Sequence, residues 1–342
     1  IEKVGSTYIR CEIVKGTSIH ATDKAKKAKF KWTATKESQF ILANAEKETI
    51  RIDGSSTVYP LAAVAAKYFE NSTKSVKKKD GAKVTVGFSG TGGGFEKFCR
   101  GETVISNASR PISKKEMDAC AEAGITYIEL AVAYDALTVV SNKGNDWAKS
   151  MTVEELNKIW ASGSSVKNWK DVNPAWPNQP MKLFGPGADS GTFDYFTEAI
   201  NGKAKSSRSD FTASEDDNVL VTGVAGDKGG LGYFGLAYYL ENKDKLNAVA
   251  IVDKGKKDAV APSEQTVMDG TYQPLSRPLF IYVNGAKGAF DKDVKAFVEY
   301  YLANAPKLVK EVKYVPLNTA EYSAVTKHWQ SKKAGTGFGG KN

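Results

Sequence analysis

Histidine is nearly missing from this sequence. His20 and His328 are the only two in 342 residues, and they lie far apart. A Ser-His-Asp triad needs an imidazole between its nucleophile and its carboxylate, and His-based metal sites need several imidazoles. Cysteine is scarce as well. Cys11, Cys99 and Cys120 make no Cys-x-x-Cys pair and no zinc spacing. No Gly-rich stretch is followed by Gly-Lys-Ser or Gly-Lys-Thr, so there is no P-loop. No apolar run approaches the ~18–20 residues of a membrane helix. The stretch Ile128–Val140 is broken by Glu129, Tyr134 and Asp135. These absences argue against metal- or histidine-based hydrolysis, including a phosphatase-like activity, and the chain is read as a non-enzyme without cofactor or metal.

What is present describes a globular protein. Hydrophobic residues make up 41% and charged residues 25%, which separates the chain from disordered sequences. Single cores rarely grow beyond ~250–300 residues, so this length predicts two domains. The formal net charge of +9 attracts anions at long range without naming one. The Lys-rich runs Lys24–Lys31 and Lys74–Lys83 carry no nucleic-acid motif and read as a solvated basic surface, with no nucleic-acid partner. The chain begins at Ile1 rather than Met, which is read as processing. The expected location is periplasmic or extracellular, with the signal already removed. Cys99 and Cys120 lie near the ends of two predicted helical stretches, Gly94–Arg100 and Lys114–Ala123. In an exported chain they can pair; the alternative is two buried thiols. Cys11 then stays unpaired or bridges to another chain.

Residues 1–48 differ from the rest. Ser6–Val14, Lys29–Thr35 and Phe40–Ala43 alternate aromatic or β-branched residues with charges, as strands do, and predict a β-rich N-terminal arm. From residue 49 strand–turn–helix units alternate, which argues an α/β fold. Thr49–Asp53 and Lys83–Phe88 read as strands. Tyr59–Asn71 reads as a helix with Pro60 in its first turn, where a missing N–H costs nothing. Leu130–Ser141, Met181–Gly185 and Pro278–Asn284 are further strands. Val153–Ala161, Thr192–Ile200, Asn218–Ala225 and Asp291–Ala303 are further helices. Residues 331–342 are expected to be a flexible, Gly-rich tail.

Three segments place small residues and hydroxyls where a helix begins: Gly54-Ser55-Ser56-Thr57, Ser89-Gly90-Thr91-Gly92-Gly93-Gly94, and Asp189-Ser190-Gly191-Thr192. The first N–H groups of a helix lack intrahelical acceptors, and the dipole puts partial positive charge there. Glycine admits close backbone approach, and Ser and Thr add donors. One such turn alone is an ordinary N-cap. Three in one chain point to a shared oxyanion site.

With Asn107-Ala108-Ser109-Arg110-Pro111-Ile112, these segments resemble, in order and spacing over residues 49 to 330, the four phosphate-binding motifs of the periplasmic phosphate-binding proteins of bacterial ABC importers. The resemblance implies a type II periplasmic-binding-protein fold with two lobes around a ligand cleft. Lobe I would be 49–133 plus 272–330, and lobe II 134–271. The hinge would lie near Ala131–Asp135 and before Pro278. It implies binding of inorganic phosphate by Ser56, Thr57, Ser89, Thr91, Arg110, Asp189, Ser190, Gly191 and Thr192, and delivery to an ABC permease. One departure stands out. The well-known branch of the family has an Asp in the third motif, which accepts the proton of hydrogen phosphate, and an Arg just before its Ser-Gly-Thr turn. Here the third motif carries Arg110 and the turn carries Asp189, so the charges are exchanged between lobes. Residues 1–48 have no counterpart in the resemblance. They raise a second reading, a structural or filament-forming subunit that self-associates through the arm.

Overall fold

The computed structural model describes residues 2–4, 8–10, 49–77, 83–188, 190–285 and 291–337. Within the arm, β1 (Glu2–Val4) and β2 (Tyr8–Arg10) form an antiparallel pair. The strands expected at 29–35 and 40–43, and Cys11, lie outside the described residues. The main sheet contains β3 (Thr49–Gly54), β4 (Lys83–Val86), β5 (Ile105–Ala108), β6 (Tyr127–Asn142), β8 (Lys182–Gly185), β9 (Thr212–Ala213), β10 (Gly230–Gly235), β11 (Leu246–Ala248) and β14 (Ser276–Asn284). Its order is β4-β3-β5-β14-β6-β10-β8-β9, with β11 also pairing to β6. The strands β7 (Ser150–Thr152), β12 (Ala250–Val252) and β13 (Ala259–Val260) make a separate small sheet.

Each outer part of the main sheet is parallel: β4-β3-β5 on one side and β10-β8-β9 on the other. Parallel neighbours require crossovers, and helices supply them. Between these parts run β14 and β6, antiparallel to each other and to their neighbours. The sixteen-residue β6 is buried except at its ends. It pairs with β14 from Tyr127 to Ala136 and with β10 from Leu137 to Ser141, so one strand belongs to both halves. The result is the expected two-lobed α/β fold. In one half Phe69 of the helix Tyr59–Lys77 packs on Phe297 and Tyr300 of the helix Lys292–Glu311, at 5.4 and 5.5 Å between ring centroids. In the other, Trp160 is met edge-on by Phe196, Phe211 and Tyr233.

Three elements depart from the sequence expectation. The Gly-rich stretch, expected as a turn ahead of the helical stretch Gly94–Arg100, is already helical from Gly90. Gly94 earns its place there, because a Cβ would lie 2.4 Å from the Gly54 Cα. The helix expected to stop at Ala303 runs on to Glu311, through Pro306. An interior proline costs about 3 kcal/mol, and burial of Ala305, just before it, and of Leu308 and Val309 in the following turn opposes that cost. The expected flexible tail is docked as far as Gly337. Gly335 donates to the Tyr127 carbonyl and accepts from the Glu129 N–H, and Gly337 donates to the Glu129 carboxylate. These bonds satisfy backbone groups at the start of β6. Residues 338–342 lie outside the described residues. No described helix is long and apolar enough to cross a membrane.

Cys99 and Cys120 are joined in a disulfide, with their Cα atoms 4.3 Å apart, which decides between the two readings of these cysteines. It ties the end of the Gly90–Cys99 helix to the helix Lys114–Glu122. Replacing both cysteines with Ala is expected to lower unfolding stability by about 2–4 kcal/mol, the usual contribution of a native disulfide. Urea titration of parent and double variant measures it, and mass spectrometry of an unreduced digest shows the bridge directly.

Candidate functional site

The four motifs converge although they are spread over more than a hundred residues. Ser55 N–H donates to the Asn107 carbonyl at 2.9 Å, joining the first motif to the third. Ser89 N–H donates to the Gly54 carbonyl at 3.0 Å, joining the second to the first. Thr91 Oγ1 accepts from Ser109 N–H and lies 3.2 Å from Ser109 Oγ, joining the second to the third. The fourth motif comes from the other half of the molecule. A Cβ on Gly191 would stand 2.8 Å from Thr57 Oγ1 and 3.1 Å from the Thr57 backbone nitrogen. The first and fourth turns therefore touch, and only glycine permits it.

Asp53 organises the first two turns. It accepts from its neighbour Gly54 N–H at 2.7 Å, from Ser89 Oγ at 2.8 Å and from Lys97 Nζ at 2.6 Å. Burial works against its charge, but Lys97, Ser89 and Gly54 outweigh burial and hold the carboxyl below its ordinary range. This changes the expected role of Ser89. A serine hydroxyl has one proton, and here it goes to Asp53, so Ser89 braces the turn and its hydroxyl does not donate into the cleft. Thr57, Thr91 and Ser190 differ. The oxygens of Thr57 and Ser190 accept, from Arg277 and from Thr192 N–H, and each keeps its proton to donate; Thr91 Oγ1 accepts from Ser109 N–H and shares a second hydrogen bond with Ser109 Oγ in which either hydroxyl can be the donor. Ser190 is the N-cap of the helix Gly191–Asn201, so Gly191 and Thr192 lie in its first turn. Ser56 lies at the start of the Tyr59–Lys77 helix, half-buried. Asp189 lies outside the described residues.

Arg110 lies over the second turn, its Nη2 3.9 Å from where a Gly92 Cβ would stand. It is not a free cation. Both its terminal nitrogens bond Glu116, at 2.8 and 2.7 Å, and its guanidinium rests 5.8 Å from the Phe95 ring centre. Burial raises the Glu116 carboxyl, yet Arg110 and Ser113 bring it below its usual range. Glu116 also closes a capping box with Ser113. The Ser-x-x-Glu spacing signals that box in the sequence, but not the grip on Arg110. A second cation, Arg277, was not foreseen from the sequence. Its Nη2 donates to Thr57 Oγ1 at 3.0 Å, and its Nε lies 3.4 Å from an oxygen of the buried Asp135.

The rim on the other half is acidic. Glu215 Oε1 lies 2.0 Å from where a Gly187 Cβ would stand, so a side chain there would have to push the Glu215 carboxylate aside. Burial, with Asp216 and Glu215 alongside, pushes the Asp217 carboxyl up to about 6. A cavity of about 480 Å³ lies on the far side of Arg277, between Glu129, Tyr134, Glu321 and His328. Its carboxylates already accept from Tyr282, Gly337 and Tyr134. Among the described residues no group of three His, Cys, Asp or Glu could hold a metal ion.

Since Asp217 is harder to ionise in the fold than in the open chain, its native pKa lies above its unfolded one. The stability it favours is present below about pH 4 and is lost as pH rises through about 6. Asp217→Asn is expected to raise the melting temperature at pH 7 and to leave it unchanged at pH 3.5, as read by scanning calorimetry.

Comparison with known proteins agrees with this geometry. A PBP superfamily domain model matches residues 42–305. Protein SphX of Synechococcus elongatus is 51% identical over 302 residues, covering 88% of this chain and 87% of that protein. The phosphate-binding protein PstS of Staphylococcus saprophyticus is 39% identical over 276 residues, covering 80% and 82%. The crystal structure of a possible phosphate binding protein from Planctomyces limnophilus superposes with a TM-score of 0.79 at 48% identity, covering 84% of this chain and 99% of that one. With the turns, the lobes and these relatives in agreement, the chain belongs to the PBP superfamily and, within it, to the family of the SphX and PstS phosphate-binding proteins.

Proposed function

We propose that this protein binds inorganic phosphate in the cleft between its lobes and delivers it to an ABC permease. The observation that carries the reading is the meeting of the first and fourth turns at Thr57 and Gly191, which gathers hydroxyl and helix-start donors from both halves. Relatives named as phosphate-binding proteins support the choice of anion. The lobes are taken as 49–133 with 272–330, and as 134–271. This division is supported by β6, which changes partner from β14 to β10 between Ala136 and Leu137. Closure of the lobes buries the ligand. The donors are taken as Ser56, Thr57, Thr91, Ser190, Gly191 and Thr192, with Arg110 as the cation and Asp189 as the carboxylate that accepts the ligand's proton. Export to the periplasm or cell exterior is supported by the Cys99–Cys120 disulfide, which persists in oxidising compartments. Self-association through residues 1–48 carries no part of this proposal.

A site that pairs with a ligand O–H rejects the analogue without it by about 10⁴-fold. Calorimetry on ligand-stripped protein at pH 7 is expected to show tight binding of phosphate and arsenate, and sulfate weaker by about that factor. Equal affinity for sulfate and phosphate would overturn the role given to Asp189, and no binding of phosphate would overturn the reading itself.

Arg110→Ala is expected to weaken phosphate binding by about 1.5–3 kcal/mol, the range for a hydrogen bond to a charged group. Arg110→Lys should recover only part, since the planar fork is lost. Glu116→Gln, which loosens Arg110 without removing it, should fall between parent and Arg110→Ala in the same calorimetric titration.

A further inference from the structure

Among the described residues, Arg277 touches both halves of the candidate site. It sits on β14 just after that strand begins at Ser276. Its guanidinium donates to Thr57 Oγ1 at 3.0 Å, in the first turn. It lies 3.4 Å from Asp135 on β6. Its central carbon stands 3.6 Å from the ring centre of Tyr195, and its Nη1 lies 4.0 Å from Glu198. Tyr195 and Glu198 belong to the helix Gly191–Asn201, which starts with the fourth turn. Only 14% of the Arg277 side chain and 3% of that of Asp135 are exposed.

Only a guanidinium fits this set of partners. It is flat, so one face takes an aromatic ring, while its edge donates in fixed directions to two oxygens at once. An ammonium does neither together. Stability does not account for the pair. Taking two charges out of water costs as much as their attraction returns, and apolar residues of the same size often serve as well. Burial indeed raises the Asp135 carboxyl despite the cation beside it.

The bond to Thr57 has a direct consequence. Because Arg277 donates to Thr57 Oγ1, the hydroxyl proton must point elsewhere, and it is left for a ligand in the cleft. The contact with Tyr195 has another. Arg277 is carried by β14, which pairs with β5 and β6, whereas Tyr195 is carried by the opposite half. The Tyr195 hydroxyl also donates to the Pro274 carbonyl at 2.7 Å, so the ring is seated on the segment that leads into β14 as well as on the guanidinium. We propose that Arg277 is a positioning residue and closure latch. It turns the Thr57 proton toward the anion, and it receives the helix Gly191–Asn201 on its face when the lobes meet. The proposal rests on the phosphate-cleft reading above and adds to it a residue outside all four motifs.

The test uses the full chain, stripped of ligand, as parent, Arg277→Lys and Tyr195→Leu. The first variant keeps the charge opposite Asp135, and the second keeps Arg277 itself, so one remains informative if the other fails to fold. Phosphate affinity is read by calorimetry, dissociation by stopped-flow, compaction by small-angle scattering, and ligand-free stability by melting temperature. Each variant is expected to bind phosphate roughly tenfold or more weakly, chiefly through faster dissociation, and to compact less on binding. Parental affinity and dissociation rate in both variants would overturn the proposal, even with a lowered melting temperature, because Arg277 would then serve only the hinge core. If the parent itself binds no phosphate, the functional reading fails separately. The latch is then judged by scattering from ligand-free protein: more extended variants support it, and radii equal to the parent's overturn it.

Discussion

At Gly54 three stretches of backbone meet with no room for a side chain. Its φ is +135°, and a Cβ there would stand 2.2 Å from the Asn107 carbonyl oxygen. From the other side, Gly94 brings the first turn of its helix against the Gly54 Cα. This close approach lets the starts of two helices and the end of β5 point at one spot. Asp53 then holds the arrangement through Gly54, Ser89 and Lys97. Any side chain at Gly54 would push the second and third motifs away from the first, and the donors would no longer converge.

The electrostatics of the site follow from the same economy. The basic side chains near the turns are each matched with a carboxylate: Lys97 with Asp53, Arg110 with Glu116, Arg277 with Asp135. The opposite rim is acidic at Glu215, Asp216 and Asp217. The overall surplus of nine positive charges is therefore not concentrated as bare charge in the cleft. Holding an anion falls mainly to N–H groups and hydroxyls, which are strong only when aimed. Aimed donors discriminate by shape and protonation in a way that a loose positive surface cannot.

The long β6 gives the two halves a common frame. A strand that pairs with β14 over its first part and β10 over its second cannot let the halves separate, yet it can bend or twist between them. The register of β14 on β6 shifts between Leu279 and Phe280, just past Arg277. The register shift, the guanidinium and the contact of Thr57 with Gly191 thus fall in one small region.

The order of elements and the four motifs could be read from the sequence because their signals are local. Alternation of apolar residues marks strands, and Ser, Thr and Gly at a helix start mark orphan N–H groups within a few positions. Local rules misled at the Gly-rich stretch and at Pro306, where packing against Gly54 and a buried last turn overrode propensity. They also gave no sign of where the Ser89 hydroxyl turns, because nothing in the second motif shows that Asp53 will take its proton. Arg277 gives no local sign at all. Its partners Thr57, Asp135 and Tyr195 lie between 82 and 220 positions away in sequence, and they become neighbours only when the sheet brings both lobes together. Sequence by itself determined which residues can bind an oxyanion at a helix start. Tertiary structure decided which of them keep a proton to give, because a hydroxyl's single hydrogen goes to whichever acceptor the fold places beside it.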